Sequence, residues 1–246
     1  MTSPERSKPV NPFYAVVERS PTLRALLYRW ECLDPFYVKL VGRMRRPVSL
    51  LRHRFPAYTA HERDRPPLFF VIGAPRSGNT LLRALLCQHP RIVMPPESYF
   101  LPKVCKLFAE YGHLPWQTLV ARLLDAVLLP EVVRTWQFDE EALRREILGI
   151  PEPNQTLVSF IAAIYRRYAL QHKPEADVWG DKTPNNTLNL PWLHAAFPNA
   201  RFVHIIRDGR DAVASALQSD IMPSVEVAMG VWQRCVRAGT AFGLWV

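Results

Sequence analysis

Residues 73–80, reading Gly-Ala-Pro-Arg-Ser-Gly-Asn-Thr, are the first stretch of this chain whose types and spacing suit chemistry. As a pattern they are G-x-x-x-x-G-x-T, a phosphate-binding loop with one letter changed. The changed letter is Asn79, which stands where a nucleoside triphosphatase carries the lysine that reaches the β- and γ-phosphates. Arg76 supplies positive charge three residues earlier, as a planar and permanently charged fork suited to a flat or tetrahedral oxyanion. A glycine-bounded turn ahead of a helix also directs backbone N–H groups at one anion. Arg76, Ser77, Gly78, Asn79 and Thr80 therefore suit a phosphate-bearing ligand better than a magnesium triphosphate.

The run PRSGNTLLR at 75–83 resembles the 5′-phosphosulfate loop of sulfotransferases that use 3′-phosphoadenosine 5′-phosphosulfate (PAPS). The subgroup it is similar to contains the tyrosylprotein sulfotransferases and many bacterial enzymes. Thr or Ser is usual there at the position of Asn79, a mild departure that keeps a short polar side chain. RDGRDAVAS at 207–215 resembles the family's 3′-phosphate motif, an Arg at a strand end with a Ser eight residues on. Arg207 and Ser215, about two turns into the next helix, would converge on one phosphate, the Arg through charge-assisted hydrogen bonds. Taken alone, Arg207 reads as a salt-bridge partner of Asp208 or Asp211; paired with the glycine loop, it reads as a second anion site. Two such sites at one sheet edge suit a nucleotide phosphorylated at both its 3′ and 5′ positions.

The resemblance also implies the catalytic residues Glu97, Lys182 and Arg76. Glu97 falls where the tyrosylprotein-type members carry a Glu, and sulfuryl transfer needs a base for the acceptor proton. Its alternative is a solvated surface carboxylate. Lys182, within GDKTP at 180–184, resembles the family Lys that contacts the bridging oxygen of the leaving phosphate, where a cation stabilises developing charge. Its alternative is a solvent-facing turn lysine. Asp181 either orients Lys182 or caps a turn; His89 and His204 receive no catalytic role. The activity implied is transfer of a sulfuryl group from PAPS to a hydroxyl on a sugar, lipid, phenol or peptide tyrosine by in-line displacement. No metal is implied, because Arg76, Lys182 and the loop amides neutralise the charge. Two readings stay open beside it: a P-loop kinase-like phosphotransferase, and a truncated nucleotide-binding remnant without catalysis.

These residues need elements to hold them. Leu68–Ile72 is a short apolar run with the composition of a strand buried on both faces. Residues 91–94 and 178–179 read as brief strands, and 201–206 as a second fully buried one. Helices are expected over 80–87, 115–128, 139–148, 154–172 (with Asn154 as cap), 191–197, 212–218 and 225–242. Alternating strands and helices imply an α/β, P-loop-like three-layer fold with a central parallel sheet flanked by helices, its ligands at the carboxyl ends of the strands. Residues 67–246 form this domain. Residues 1–66 form a basic N-terminal extension with helices expected over 20–30 and 37–55.

The formal net charge of +9 is uneven, with +7 in residues 1–66 and +2 in the rest. No nucleic-acid-reading motif accompanies the basic segment, so nucleic acid is not expected as a partner. Peripheral contact with an anionic membrane is the alternative to a plain Arg-rich solvent face. No apolar run approaches the length of a transmembrane helix and no signal peptide opens the chain, which suggests a cytoplasmic enzyme unlike the family's anchored Golgi members. Four scattered cysteines, Cys32, Cys87, Cys105 and Cys235, read as reduced thiols with no metal site. Family members usually continue past the point where this chain stops, into another core strand. The expectation is an uncovered sheet edge, an apolar patch around Val227, Val231, Trp232 and Cys235, and association, for instance as a homodimer.

Overall fold

The computed structural model describes residues 68–243, apart from 129–132, 134 and 138. The expected N-terminal helices and the basic segment lie outside the described residues. Leu68–Ile72 forms β1, and alternation along it buries both faces: Phe70 and Ile72 on one side, Val71 on the other, each at 1% exposure or less. Such a strand belongs at the centre of a parallel sheet. The sheet has the order β2-β3-β1-β4 with every pairing parallel, where β2 is Ile92–Val93, β3 is Val178–Asp181 and β4 is Arg201–His204.

The register sets the site. Phe70 pairs with Asp181 and Ile72 with His204, so β1, β3 and β4 end close to one another. Their next residues are Gly73, Lys182 and Ile205, and every residue expected to bind or react sits on a loop or helix that follows a strand.

The helices are α1 (Asn79–Leu86), α2 (Leu101–Tyr111), α3 (Trp116–Leu128), α4 (Glu140–Leu148), α5 (Leu157–His172), α6 (Leu190–Ala196), α7 (Gly209–Gln218) and α8 (Val225–Gly243). The larger core joins Phe70 and Ile72 to α2, α3, α4, α5 and α6, with Trp136, Tyr165 and Phe160 among its largest buried side chains. A smaller core joins Ala74 to Ala216, Met222, Ala228, Val231 and Cys235.

Four expectations need correction. Residues 201–206 are not a fully buried strand: β4 lies at the sheet edge, stops at His204, and leaves Val203 and Ile206 exposed. Its apolar run reads as buried only because one face packs on the protein. The 154–172 helix begins at Leu157, because Thr156 caps it by accepting from the Ser159 amide at 3.2 Å, while Glu152–Asn154 form a short 3-10 turn. Helix α2 went unread, although Leu101, Val104, Cys105 and Phe108 are all buried and lie at helical spacing. Val231 and Cys235 are not part of an uncovered patch; they are buried in the smaller core, and the exposed large apolar residues of α8 are Val225 and Met229.

Candidate functional site

The phosphate loop runs from β1 to α1 with its backbone in the left-handed region at Arg76 (φ 65°) and Gly78 (φ 97°). Gly73 must be glycine, since a Cβ there would lie 2.5 Å from the Ile205 carbonyl oxygen. Thr187, in the 3-10 turn Pro184–Asn189 that follows β3, clamps this residue: its Oγ1 accepts from the Gly73 amide at 2.7 Å and donates to the Gly73 carbonyl at 3.1 Å. Asn79 is turned inward, and its Nδ2 donates to the Ala74 carbonyl at 2.9 Å. Its side chain therefore staples the loop, leaving its backbone amide as the group that can meet a ligand. Ser77 Oγ is buried with no hydrogen-bond partner among the described residues. A buried orphan hydroxyl between two left-handed residues of a glycine loop suits a bound oxyanion.

The lysine missing from position 79 is supplied from elsewhere. Lys182, at the end of β3, donates to Thr80 Oγ1 at 3.3 Å and pairs with Glu97 Oε1 at 2.5 Å. Its side chain is 5% exposed and that of Glu97 24%, so neither is the solvated surface residue that each could have been. A cation so enclosed is held by its partner, and removing either leaves a charge in poor solvent.

Two networks build this junction, one around Arg83, which the sequence did not single out for the site, and one around Asp181, expected to orient Lys182 or cap a turn. Arg83 on α1 donates through Nε to the carbonyls of Met94 at 2.8 Å and Pro95 at 3.0 Å, which ties the Glu97 turn to the phosphate loop's own helix. Behind Lys182, the fully buried Asp181 accepts from Tyr165 Oη at 2.6 Å and Asn186 Nδ2 at 2.5 Å. Burial holds the Asp181 carboxyl above the usual range and pushes the Tyr165 phenol well up. Thr183 then accepts from the Ser98 amide at 2.8 Å, so the segments on either side of the Lys182–Glu97 pair are cross-linked as well. Asp181 thus orients the segment carrying Lys182. The signal for Arg83 lay in plain view, in the same motif as the loop; the partners Tyr165 and Asn186 carried none.

The second motif joins the first directly. Ser215 Oγ on α7 accepts from Arg76 Nε at 3.1 Å, and Arg207 donates to the Arg76 carbonyl at 3.3 Å. Arg207 also faces Asp211 at 3.6 Å, both partly or largely exposed, while Asp208 is taken by Arg210 at 2.7 Å, which lowers its carboxyl to about 2. The salt-bridge reading of Arg207 is therefore partly right, and the exposed guanidinium still borders the loop. Beside it a cavity of about 610 Å³ is walled by Ile206, Val213, Met229 and Trp232. Six of the nine expected residues fall into two chains of contact, Thr80–Lys182–Glu97 and Ser215–Arg76–Arg207, and the other three, Ser77, Gly78 and Asn79, lie in the loop between Arg76 and Thr80.

A family model described as "Sulfotransferase family" matches residues 67–242. The chain belongs to the sulfotransferase family. It is 27% identical over 162 residues to protein-tyrosine sulfotransferase 1 of Homo sapiens, covering 66% of this chain and 36% of that protein. It is 28% identical over 157 residues to protein-tyrosine sulfotransferase A of Caenorhabditis elegans, covering 63% and 34%. The chain thus spans about a third of the length of these relatives. Among solved structures it is similar to the sulfotransferase domain from the Synechococcus PCC 7002 olefin synthase, at 22% identity and TM-score 0.48 over 77% of this chain and 66% of that one.

Among the described residues of this family member, no group of His, Cys, Asp and Glu is placed to hold a metal ion. Cys87, Cys105 and Cys235 form no disulfide, and burial pushes Cys105 up to about 12. No helix among the described residues is long and apolar enough to cross a membrane.

Proposed function

We propose that this chain transfers a sulfuryl group from PAPS to a hydroxyl acceptor by in-line displacement. The observation that carries the reading is the contact chain from Thr80 through Lys182 to Glu97, which connects a phosphate loop to a carboxylate able to take a proton. Ser77, Gly78, Asn79 and Thr80 would hold the 5′-phosphosulfate by amides and hydroxyls, with Arg76 beside them. Arg207 and Ser215 would hold the 3′-phosphate. Lys182 meets charge that builds on the leaving oxygen, and Glu97 accepts the acceptor's proton. The relatives' names make a peptide tyrosine the first acceptor to try, with sugars, lipids and small phenols after it.

Calorimetry with 3′,5′-bisphosphoadenosine, AMP and ATP tests the donor half. The bisphosphate should bind far more tightly than either of the others; equal affinity for the bisphosphate and AMP would remove the second phosphate site from the proposal. Labelled PAPS presented with the acceptor classes in turn tests the other half.

A further inference from the structure

Four described non-glycine residues have a positive φ, and two of them, Arg76 and Tyr99, are in the site. Tyr99 adopts φ 53°, a conformation unfavourable for a bulky side chain and most often kept where the surroundings impose it. The result is specific. The Tyr99 phenol donates to Glu97 Oε2, while Glu97 Oε1 holds Lys182, itself in contact with Thr80 of the phosphate loop. A phenolic hydroxyl giving its hydrogen to the base is the arrangement an acceptor must reach before transfer. Tyr99 is 37% exposed and Glu97 24%, against 5% for Lys182.

We propose that Tyr99 is itself a sulfuryl acceptor, modified in cis by the site it faces. This rests on the sulfuryl-transfer reading above. The phenol oxygen of Tyr99 attacks the sulfur of PAPS, and a Tyr99 O–S bond forms as the S–O bond to the 5′-phosphate breaks. The phenol proton passes to Glu97, and the bond's electron pair leaves with 3′,5′-bisphosphoadenosine, toward Lys182. The product is an O-sulfotyrosine whose new negative charge lies beside Glu97. Once Glu97 has released that proton to water, like-charge repulsion expels the modified ring from the base and opens the place to an external hydroxyl.

The test uses the full chain with ³⁵S-labelled PAPS and no acceptor, followed by denaturation, counting and tryptic mapping. Tryptic peptide 92–103 contains Tyr99 as its sole tyrosine, so label and added mass can be assigned without ambiguity. Stoichiometric label is expected there, at a rate per chain that does not change with protein concentration, and added phenol should slow it. Tyr99→Phe should lose the label while melting as the parent does and binding 3′,5′-bisphosphoadenosine with the same affinity. Sulfation of an external phenol with peptide 92–103 unlabelled would overturn the proposal, as would label that persists in Tyr99→Phe. A chain that binds the bisphosphate yet neither labels itself nor sulfates any acceptor would overturn the sulfuryl-transfer reading, and this proposal with it.

Discussion

Glu97 and Lys182 hold one another in the resting site, so each variant reports on both. Glu97→Gln keeps the size and one acceptor oxygen but gives up the charge and the ability to take a proton. Its turnover should fall by roughly two to four orders of magnitude, the usual worth of a general base, with affinity for 3′,5′-bisphosphoadenosine unchanged. Steady-state rates paired with calorimetry would check this; normal turnover would mean that another group is the base. Asp181 is a poor substitute, being fully buried and already accepting from Tyr165 and Asn186. Arg76→Ala should weaken both binding and turnover, because Arg76 is part of the loop and touches both Ser215 and Arg207. Arg207→Ala should cost about 1.5–3 kcal/mol of bisphosphate affinity, as for hydrogen bonds to charged groups, and little affinity for AMP. A loss equal for both nucleotides would place Arg207 away from the 3′-phosphate.

At the scale of elements, the site depends on β3 ending where it does. Gly180 sits two residues before Lys182 against Phe69 and Met94, and a Cβ there would lie 2.6 Å from Phe69 Cζ and 2.8 Å from Met94 Cγ. Gly180→Ala should therefore cost about 1–3 kcal/mol by overpacking. It should also lower turnover beyond what the melting temperature explains, since the shift displaces Lys182 from Thr80; a variant destabilised but fully active would separate β3 packing from the chemistry. The elements that carry the site were largely legible. The strand–loop–helix at 68–86 announces itself by a buried run followed by glycines, and Arg207 by its place after an apolar stretch. The end of β4 was not, because an edge strand with one covered face has the same apolar composition as a central one. Helix α2 went unread because it follows the Pro-Pro turn and itself contains Pro102, which its first turn tolerates. The Thr187 clamp on Gly73 and the Tyr165–Asp181 hydrogen bond are beyond any local pattern, since their partners are 114 and 16 residues apart.

At the scale of the molecule, α8 ties the two cores together across the edge strand. Val231 and Cys235 belong to the smaller core, while Phe242 enters the larger one and meets Phe202 of β4 edge-on at 5.0 Å. His204 sits in this joint, packed so closely on Gly239 that a Cβ there would lie 2.3 Å from its Cε1. Its Nε2 is buried without a hydrogen-bond partner among the described residues, and burial lowers its pKa from 6.5. The folded chain therefore binds this proton less readily than the unfolded chain does. Stability must fall as pH drops from 6.5 through the folded value, because the unfolded state gains the proton first. Two carboxyls differ in sign or window. Asp208, held at about 2 by Arg210, loses its contribution only below 3.8. Asp181, raised by burial, binds its proton more readily when folded and so favours the folded state as pH falls. Melting curves of the parent chain and His204→Gln, taken from pH 7 down to pH 4, isolate the histidine because both carboxyls are common to the two proteins. The parent's melting temperature should decline more steeply below pH 6.5 than that of His204→Gln. Parallel curves would mean that the joint between β4 and α8 opens no more readily when His204 is charged.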